Sequence, residues 1–480
     1  MKNLALPSIR NVIFKSTPMS KRFSALIVIM LLAISVSTKS REYSRLSLQP
    51  DPKPNILLIL TDDQGYHDVS YYGTADLRTP NIDKLAGAGM RFDNFYANSP
   101  VCAPTRASLL SGRYPDFVGV PGLIRLHANN NWGYLDPKTI LLPAKLKEGG
   151  YQTAHIGKWN LGLESPNLPN EHGFDYFHGW LEDMMDDYWT HLRHKQNFLR
   201  LNDQTIDPKG HATDLFTQWS VDYIRKQAND DQPFFLYLAY NAPHFPVQPP
   251  DDWLQRVKKR EPGIDEKRAK LVAFIEHLDD GIGKVIQALK ESGQYENTLI
   301  IFTTDNGGHL PDLANNGPLR DGKQSMYEGG LRVPASVTWP AKIKPGTVSK
   351  QVNLSMDVYP TVLQAAGIPV NHTIEGRSFL NTLLGQQEGS DERPLYFTRR
   401  EGGTRYGGKS YHALRLGDWK LLQNSPYEPM ELYNLKVDPQ ERNNVITKEV
   451  QVYKKLNDLL MLHIQKGGSV PWQKPGKIND

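Results

Sequence analysis

Asn55-Ile-Leu-Leu-Ile-Leu60 is an unbroken apolar run after its first residue, and Thr61-Asp62-Asp63 follows it directly. Phe234-Phe-Leu-Tyr-Leu-Ala239 and Leu299-Ile-Ile-Phe302 have the same texture. Such runs are too apolar for strands with one face in water, so they predict strands buried on both faces, as in a parallel sheet. Segments with helical spacing separate them. The sequence therefore predicts an α/β protein with a mostly parallel central sheet flanked by helices.

Helical patterns and a change in the length and alternation of apolar segments indicate the domain organisation. Three segments have the spacing of helices: Thr79 to Gly89, Thr139 to Gly149 and Lys270 to Glu291. Beyond about Gly376 the segments become short and alternating, which predicts a smaller antiparallel sheet, and Lys448 to Gln465 predicts a final helix. We therefore expect a main domain over residues 41–375 and a C-terminal subdomain over residues 376–480.

Composition excludes several protein classes. The chain has 480 residues, of which 39% are apolar, and a single cysteine. It can bury a large core but cannot form an intrachain disulfide, which excludes collagen, zinc-ribbon and knottin folds. Its formal charge of +4 would favour an anionic partner such as nucleic acid or acidic lipid if the charges were spread evenly.

The positive charge is concentrated at the N-terminus. Residues 1–41 contain no Asp or Glu, and two basic residues precede the apolar run Ala25 to Val36. This is the layout of a secretory signal peptide, and the run is shorter than the ~20 residues that span a bilayer. A retained membrane anchor is the alternative, and Met19 is an alternative start to Met1. Removing residues 1–40 deletes six Lys and Arg and no acid, so the charge falls from +4 to −2. We expect a periplasmic or secreted protein with no nucleic-acid partner and no stable membrane insertion.

Polar side chains follow the ends of four apolar runs. They are Asp62 and Asp63, Lys158, His244 a few residues after its run, and Asp305 with Asn306. The carboxyl ends of parallel strands meet at one edge of a sheet, where three acids would repel one another unless a cation lay between them. Ligation by oxygen alone points to calcium or magnesium rather than zinc. The alternative is that these acids cap helices or form turns.

The lone cysteine opens the segment Cys102-Ala-Pro-Thr-Arg106. Pro104 suits the first turn of a helix, so Cys102 is predicted at a helix N-terminus, where backbone N–H groups and the helix dipole favour an anion. A single cysteine is usually a small buried hydrophobe. The flanks here are polar and helix-initiating, unlike a core segment.

The pattern Cys102-x-Pro-x-Arg106 closely resembles the maturation motif of type I, formylglycine-dependent sulfatases, which belong to the alkaline-phosphatase-like superfamily. The resemblance continues in order along the chain through further blocks: Asn55 to Gly65, Gly157 to Gly162, Gly173 to Phe177, Ala242 to His244, Thr304 to Gly307, Gly322-Lys323, Tyr327 to Arg332, Gly417 to Lys420, and Glu431 to Asn434. It implies an alkaline-phosphatase-like fold and the activity of a sulfuric ester hydrolase, with residues 41–375 as the catalytic domain.

The resemblance also implies a nucleophile and a metal. In the family, a separate maturation enzyme oxidises the motif cysteine to formylglycine (3-oxoalanine), whose hydrated form attacks the sulfur of a sulfate ester and expels the alcohol. The second hydroxyl then loses its proton, the aldehyde re-forms and sulfate leaves. Cys102 is accordingly the expected precursor of the nucleophile. Asp62, Asp63, Asp305 and Asn306 are the expected calcium ligands, with residue 102 as a further ligand and magnesium less favoured.

Four further side chains acquire roles from the resemblance. Arg106 is expected to steady the formylglycine oxygen, and Lys158 and Lys323 to contact sulfate oxygens. His244 is expected to protonate the leaving alcohol, alone or with Lys323, because the pKa of a histidine ordinarily lies near neutrality.

The sequence departs from the family at Asn160, where Gly-Lys-Trp-His is usual. An amide can hydrogen-bond a hydroxyl but cannot accept its proton, so His67 or a water must replace the base, or sulfate release is slow. Asn160 joins Lys158, His244 and Lys323 as an expected substrate-binding residue.

Residues 173–198 are rich in aromatic and charged side chains, which suit sugar binding or, equally, a solvated loop that covers the sheet. A sulfated polysaccharide or oligosaccharide is the expected substrate, and a formylglycine-generating enzyme the expected partner. Two alternatives stay open: a phosphodiester or phosphonate-monoester hydrolase of the same superfamily, and a catalytically weakened carbohydrate-binding relative.

Overall fold

The computed structural model of the protein describes residues 52–386, 392–402 and 410–474. The expected signal peptide, residues 1–40, lies outside these described residues, as do both candidate start positions. Within the described part of the chain, no helix combines the length and the apolarity needed to cross a membrane.

The strands follow the apolar runs closely. In chain order they are β1 (Asn55–Thr61), β2 (Met90–Tyr96), β3 (Gln152–Lys158), β4 (Tyr176–Trp180), β5 (Leu192–Arg193), β6 (Gln196–Asn197), β7 (Leu199–Leu201), β8 (Gln204–Thr205), β9 (Phe234–Ala239), β10 (Thr298–Thr304), β11 (Arg332–Thr338), β12 (Thr347–Ser349), β13 (Asn353–Leu354), β14 (Leu395–Arg400), β15 (Ser410–Leu416), β16 (Trp419–Gln423) and β17 (Glu431–Asn434).

One large sheet organises the molecule. Its strand order among the described residues is β12-β2-β11-β10-β1-β9-β3-β4-β7-β8, with β13 also paired to β2. The five central strands from β10 to β4 are parallel, and antiparallel pairs flank them on both sides. Ile56 to Leu60 in β1 are fully buried, because β1 lies in the middle of the sheet. The predicted mostly parallel α/β fold is confirmed.

The helices cover this sheet. They are α1 (Pro80–Ala88), α2 (Cys102–Ser111), α3 (Leu142–Glu148), α4 (Ala212–Gln227), α5 (Asp251–Arg260), α6 (Glu266–Glu291), α7 (Glu328–Leu331), α8 (Val358–Ala365), α9 (Leu380–Leu383) and α10 (Val450–Gly467). The long helix α6 packs against α1, α4 and α5.

Two helices show the largest differences between the predicted and the observed first residue. The helix expected from Thr139 begins at Leu142, because Pro143 lacks an N–H and fits only the first turn. The helix expected from Lys270 begins earlier, at Glu266, because the Asp265 side chain accepts hydrogen bonds from two backbone N–H groups of the first turn.

The C-terminal part forms the predicted small antiparallel sheet, with strand order β14-β15-β16-β17. Helix α10 packs on β15 and β16. A buried ion triad links this sheet to α7: Lys420 Nζ on β16 lies 2.9 Å from Glu328 Oε1 and 2.8 Å from Glu441 Oε1. We call these three residues the Lys420 triad.

Candidate active site

The register of two central strands brings the predicted acids together. β1 and β10 are parallel neighbours, with Thr61 opposite Thr304, so the residues that follow each strand leave the sheet side by side. The backbone N–H of Asp63 donates to Asp305 Oδ1 at 3.3 Å. The Asn306 side-chain amide donates to Asp63 Oδ1 at 2.8 Å. The expected convergence of these polar residues at one sheet edge therefore occurs.

Lys158 reaches the same edge from the end of β3. Its Nζ lies 2.5 Å from Asp62 Oδ2, and both side chains are fully buried. The preceding residue must be glycine, since a Cβ at Gly157 would lie 1.9 Å from the carbonyl oxygen of Ala239, and its φ is +104°. The backbone thus approaches β9 closely enough to direct Lys158 at the acids.

Cys102 is the first residue of α2, as predicted, and all ten residues of that helix are buried. Its Sγ lies 3.4 Å from Asp62 Oδ1. Burial, together with Asp305 and Asp62, raises the pKa of the thiol well above its usual value. The unmodified side chain is therefore a neutral thiol at neutral pH, which is a poor nucleophile.

Arg106 lies one turn further along α2 and is completely buried. Its Nε and Nη2 donate to Asp305 Oδ2 at 3.1 and 2.7 Å, and its Nη1 donates to the carbonyl oxygen of Lys158 at 3.2 Å. Its Nη2 also lies 3.6 Å from Asp62 Oδ2. The guanidinium thus binds the acids directly and holds the end of β3 beside them.

Asp63 has two further cationic or titratable neighbours. Lys323 Nζ donates to its Oδ2 at 2.6 Å, and His244 Nε2 lies 3.5 Å from the same oxygen. Burial alone would raise the pKa of Asp63, but the charge of Lys323 and the hydrogen bonds from Lys323 and Asn306 lower it below the ordinary value. Asp63 is therefore an ionised carboxylate.

His244 differs from the expectation of a pKa near neutrality. Burial, followed by the charge of Lys323, lowers the pKa of its imidazole to about 3. Its Nδ1 lies 2.7 Å from the carbonyl oxygen of Phe245, so the neutral ring donates its proton there and leaves Nε2 as an acceptor. The Tyr188 hydroxyl holds this loop by donating to the carbonyl oxygens of Asn241 and His244, at 2.8 and 3.0 Å. No spacing in the sequence indicated this role of Tyr188.

The described residues of the site include a group that could hold a metal ion. Asp62, Asp63, Cys102 and His244 each offer a ligand atom within 4.8 Å of the others. Asn306 Oδ1 is buried beside them with no hydrogen-bond partner among the described residues. Burial and the charge of Asp62 raise the pKa of Asp305, a sign of crowded carboxylates that a cation would relieve. Carboxylate and amide oxygens are the ligands that Ca²⁺ and Mg²⁺ prefer.

Asn160 follows Lys158 at the sheet edge with a left-handed backbone, φ 56°. Its Nδ2 donates to the carbonyl oxygen of Ile124 at 3.1 Å, whereas its Oδ1 is buried and has no hydrogen-bond partner among the described residues. His67, the candidate replacement base, stacks on Tyr72 with ring centroids 5.4 Å apart.

Comparison with known proteins identifies the family. The sulfatase family profile matches residues 54–368, and the profile of the N-sulphoglucosamine sulphohydrolase C-terminal region matches residues 321–466. N-acetylgalactosamine-6-sulfatase of Canis lupus familiaris is 34% identical over 396 residues, which cover 77% of this chain and 72% of that protein.

Two solved structures share the fold and more than a quarter of their residues. The crystal structure of Ps i-CgsB in complex with k-i-k-neocarrahexaose superposes with a TM-score of 0.79 at 31% identity, covering 88% of this chain and 95% of the other. The PsFucS1 sulfatase from Pseudoalteromonas sp. superposes with a TM-score of 0.73 at 26% identity, covering 90% and 94%.

Proposed function

The chain belongs to the sulfatase family and is a sulfuric ester hydrolase. We propose that it is an exported enzyme and that its substrate is a sulfate ester on a sulfated polysaccharide or oligosaccharide. We further propose that Cys102 is converted to formylglycine by a separate maturation enzyme and that the adjacent acids bind calcium. The division into a catalytic domain over residues 41–375 and a C-terminal subdomain over residues 376–480 is part of the same proposal.

One observation carries the proposal: the single cysteine of the chain lies 3.4 Å from a carboxylate at the edge of the sheet where the acids and lysines meet. A thiol with a raised pKa cannot attack sulfur efficiently in that environment. Conversion of Cys102 to formylglycine would supply a hydrated aldehyde, whose two hydroxyls allow attack and release from the same carbon.

The acids are proposed to hold the metal. Asp62, Asp63, Asp305 and Asn306 would hold calcium, which would supply positive charge that polarises the sulfate group. The unpaired amide oxygen of Asn306 supports this assignment, since a buried acceptor without a donor is costly.

The cations are proposed to bind the substrate. Lys158 and Lys323 each bind an acid at 2.5 to 2.6 Å, and we propose that both also contact sulfate oxygens of the substrate. Burial opposes the charge on each, but the neighbouring Asp62 and Asp63 raise the pKa of both ammonium groups, so both stay charged. Arg106, held by Asp305, is proposed to steady the formylglycine oxygen, and its hydrogen bond to the carbonyl oxygen of Lys158 holds the end of β3.

His244 is proposed to protonate the leaving alcohol. Its imidazole is neutral before substrate binds. A sulfate ester is an anion, and a nearby anion raises the pKa of an imidazole. We infer that His244 takes up a proton at Nε2 when the substrate binds and passes it to the alcohol, with Lys323 as the second candidate donor.

Asn160 is proposed to hydrogen-bond the reacting group through its unpaired Oδ1. It cannot act as a base, so a water is the proposed acceptor of the proton lost on sulfate release. The stacking of His67 on Tyr72 supports this choice over His67.

The substrate class rests on the relatives. N-acetylgalactosamine-6-sulfatase carries a sulfated amino sugar in its name, and Ps i-CgsB was solved with k-i-k-neocarrahexaose. Both support a sulfated carbohydrate as the substrate of this chain.

The decisive experiment has two readouts on protein from the native host. Mass spectrometry of the peptide around Cys102 is expected to show a loss of ~18 Da, the signature of cysteine converted to formylglycine. Hydrolysis of 4-nitrophenyl sulfate is expected to exceed that of bis(4-nitrophenyl) phosphate. Preference for the phosphodiester would assign the phosphodiesterase alternative. Unmodified Cys102 and no turnover of either ester would assign the carbohydrate-binding alternative.

Export has its own test. N-terminal sequencing of the mature protein is expected to begin near residue 41. An intact segment 1–40 in that protein would contradict signal-peptide cleavage.

A further inference from the structure

Three chain segments meet beside Asn160 and Lys323, and none of them belongs to the machinery described above. The backbone N–H of Asn160 donates to the carbonyl oxygen of Leu181 at 3.1 Å, which places residues 182–183 next to it. The Asn160 side chain donates to the carbonyl oxygen of Ile124, which places Arg125 there too. Arg399 donates to the carbonyl oxygen of Gln324, the neighbour of Lys323, at 3.1 Å.

Charged side chains from these segments form one network, which we call the rim cluster. It comprises Arg125, Glu182, Asp183, Arg193 and Glu401. Arg125 binds Asp183 Oδ2 at 3.2 Å and Glu401 Oε2 at 3.3 Å. Arg193 lies 3.6 Å from Asp183 Oδ1 and 3.7 Å from Glu182 Oε2. The cluster therefore fixes the carboxylate of Asp183 from two sides.

Two members of the rim cluster have an unused hydrogen-bonding atom among the described residues, Asp183 at Oδ1 and Arg193 at Nε, and Asp183 is the one that can accept. Its side chain is 9% exposed, and its Oδ1 has no hydrogen-bond donor among the described residues. Burial would raise the pKa of Asp183, but its hydrogen bond with Glu182 and the charge of Arg125 lower it, so the group is a carboxylate and only accepts hydrogen bonds.

Two buried acceptors without donors thus lie on adjacent segments: Asn160 Oδ1 and Asp183 Oδ1. A buried acceptor without a hydrogen bond is costly, and a ligand that donates to it offsets that cost; at Asp183 Oδ1 the charge of Arg193, 3.6 Å away, stabilises the oxygen without supplying a hydrogen bond. A sulfate group at neutral pH has no proton to donate and would be repelled by the carboxylate. A sugar hydroxyl can donate, and carboxylate acceptors bind hydroxyls with charge-assisted hydrogen bonds.

We propose that Asp183 binds a free hydroxyl of the same sugar that carries the scissile sulfate, and that Arg125 positions the carboxylate for it. This inference rests on the proposed function, because it assumes a sulfated sugar in the site. It extends that function by assigning substrate specificity to the rim cluster. The enzyme would require an unsulfated hydroxyl near the sulfate ester.

The test compares a substrate that has sugar hydroxyls with one that has none. Matured wild-type enzyme is assayed on N-acetylgalactosamine 6-sulfate, on k-i-k-neocarrahexaose and on 4-nitrophenyl sulfate. The sugar with the higher wild-type kcat/KM is then used for Asp183→Asn and Asp183→Glu. Asp175→Asn is the matched control, because Asp175 is a carboxylate held by Lys147 at the opposite end of β4 from Lys158.

We expect Asp183→Asn to lower kcat/KM on the sugar by about 10- to 100-fold, the loss of one hydrogen bond to a charged group, mainly through KM. Turnover of 4-nitrophenyl sulfate should change by less than about twofold, since that ester has no hydroxyl for Asp183 to bind. Asp183→Glu should recover part of the loss, and Asp175→Asn should match wild type on both substrates.

Three outcomes would overturn the inference. Equal losses on the sugar and on 4-nitrophenyl sulfate would show that Asp183 only supports the fold of the site. Unchanged sugar kinetics in Asp183→Asn would show that Asp183 does not contact the substrate. A higher wild-type kcat/KM on 4-nitrophenyl sulfate than on both sugars would show that the enzyme does not recognise a sugar hydroxyl. Absence of turnover on all three esters would instead refute the proposed function itself, and the inference with it.

Discussion

Replacement of Lys420 by methionine is predicted to destabilise the protein without touching the candidate active site. Lys420 is fully buried, and its ammonium group lies 2.9 Å from Glu328 and 2.8 Å from Glu441. Methionine retains much of the length and apolar volume of the side chain, so the change mainly removes the charge. Two buried glutamates are then left facing each other.

The magnitude follows from the geometry of the Lys420 triad. At an effective dielectric constant of about 20, each ion pair at this separation contributes roughly 6 kcal/mol of attraction, most of which offsets the desolvation of the charges. Removing one partner of a buried pair costs about 3–5 kcal/mol, because the remaining charge stays buried and uncompensated. Lys420→Met leaves Glu441 without its cation, whereas the charges of Arg415 and Arg332 still lower the pKa of Glu328, so we expect a cost of about 3–5 kcal/mol at pH 8.

The cost should depend on pH. Burial raises the pKa of Glu441 to about 7, above its usual value of 4.5, even with Lys420 present. Loss of the lysine raises it further, so the folded variant binds more protons than the unfolded chain, and its stability falls as pH rises above about 4.5. The difference between wild type and Lys420→Met should therefore be smaller at pH 5 than at pH 8.

Urea unfolding followed by tryptophan fluorescence at both pH values measures this difference, since Trp419 is the neighbour of Lys420 on β16. Lys474→Met is the matched control: Lys474 pairs with Glu164, but the two side chains are 58% and 71% exposed. Such an exposed pair contributes less than about 1 kcal/mol. If Lys420→Met cost no more than Lys474→Met at pH 8, or cost the same at pH 5, the reasoning would be refuted.

Three further predictions concern the active site. Asn160→His is expected to preserve or raise turnover of 4-nitrophenyl sulfate, because a base would be restored; a collapse of activity would show that the pocket depends on the amide. Lys323→Met is expected to lower kcat/KM by about 100-fold, the usual cost of one charge-stabilising donor, and activity equal to that of Lys474→Met would remove Lys323 from the mechanism. Dialysis against EDTA is expected to abolish turnover, with Ca²⁺ restoring more of it than Mg²⁺; full activity after dialysis would contradict the metal assignment.

Much of the sheet and the meeting point of the acids could be predicted from sequence, because both depend on local texture. The runs before Asp62 and Asp305 are apolar throughout, and neighbouring parallel strands in matching register must place their next residues at the same edge. The helix at Cys102 was predictable for a similar reason, since Pro104 restricts where a helix can begin.

The remaining features depend on contacts between distant segments. The bond from Asn160 to Ile124 spans 36 positions, and the pair of Arg125 with Glu401 spans 276. No spacing or composition specifies such partners. The shift of the pKa of His244 to about 3 arises from burial beside Lys323, which becomes visible only when the loop is folded.

The burial of α2 limits when the proposed conversion of Cys102 could take place. Cys102 is 2% exposed and every residue of its helix is buried, so no second enzyme can reach the thiol in the finished fold. The proposed conversion of Cys102 to formylglycine would therefore have to precede the folding of this segment. Folding would then compete with the proposed conversion, and a chain that folded first would keep the unmodified thiol. The fraction of chains that carry formylglycine would then depend on the rate of conversion relative to the rate of folding. It would not depend on the amount of protein made.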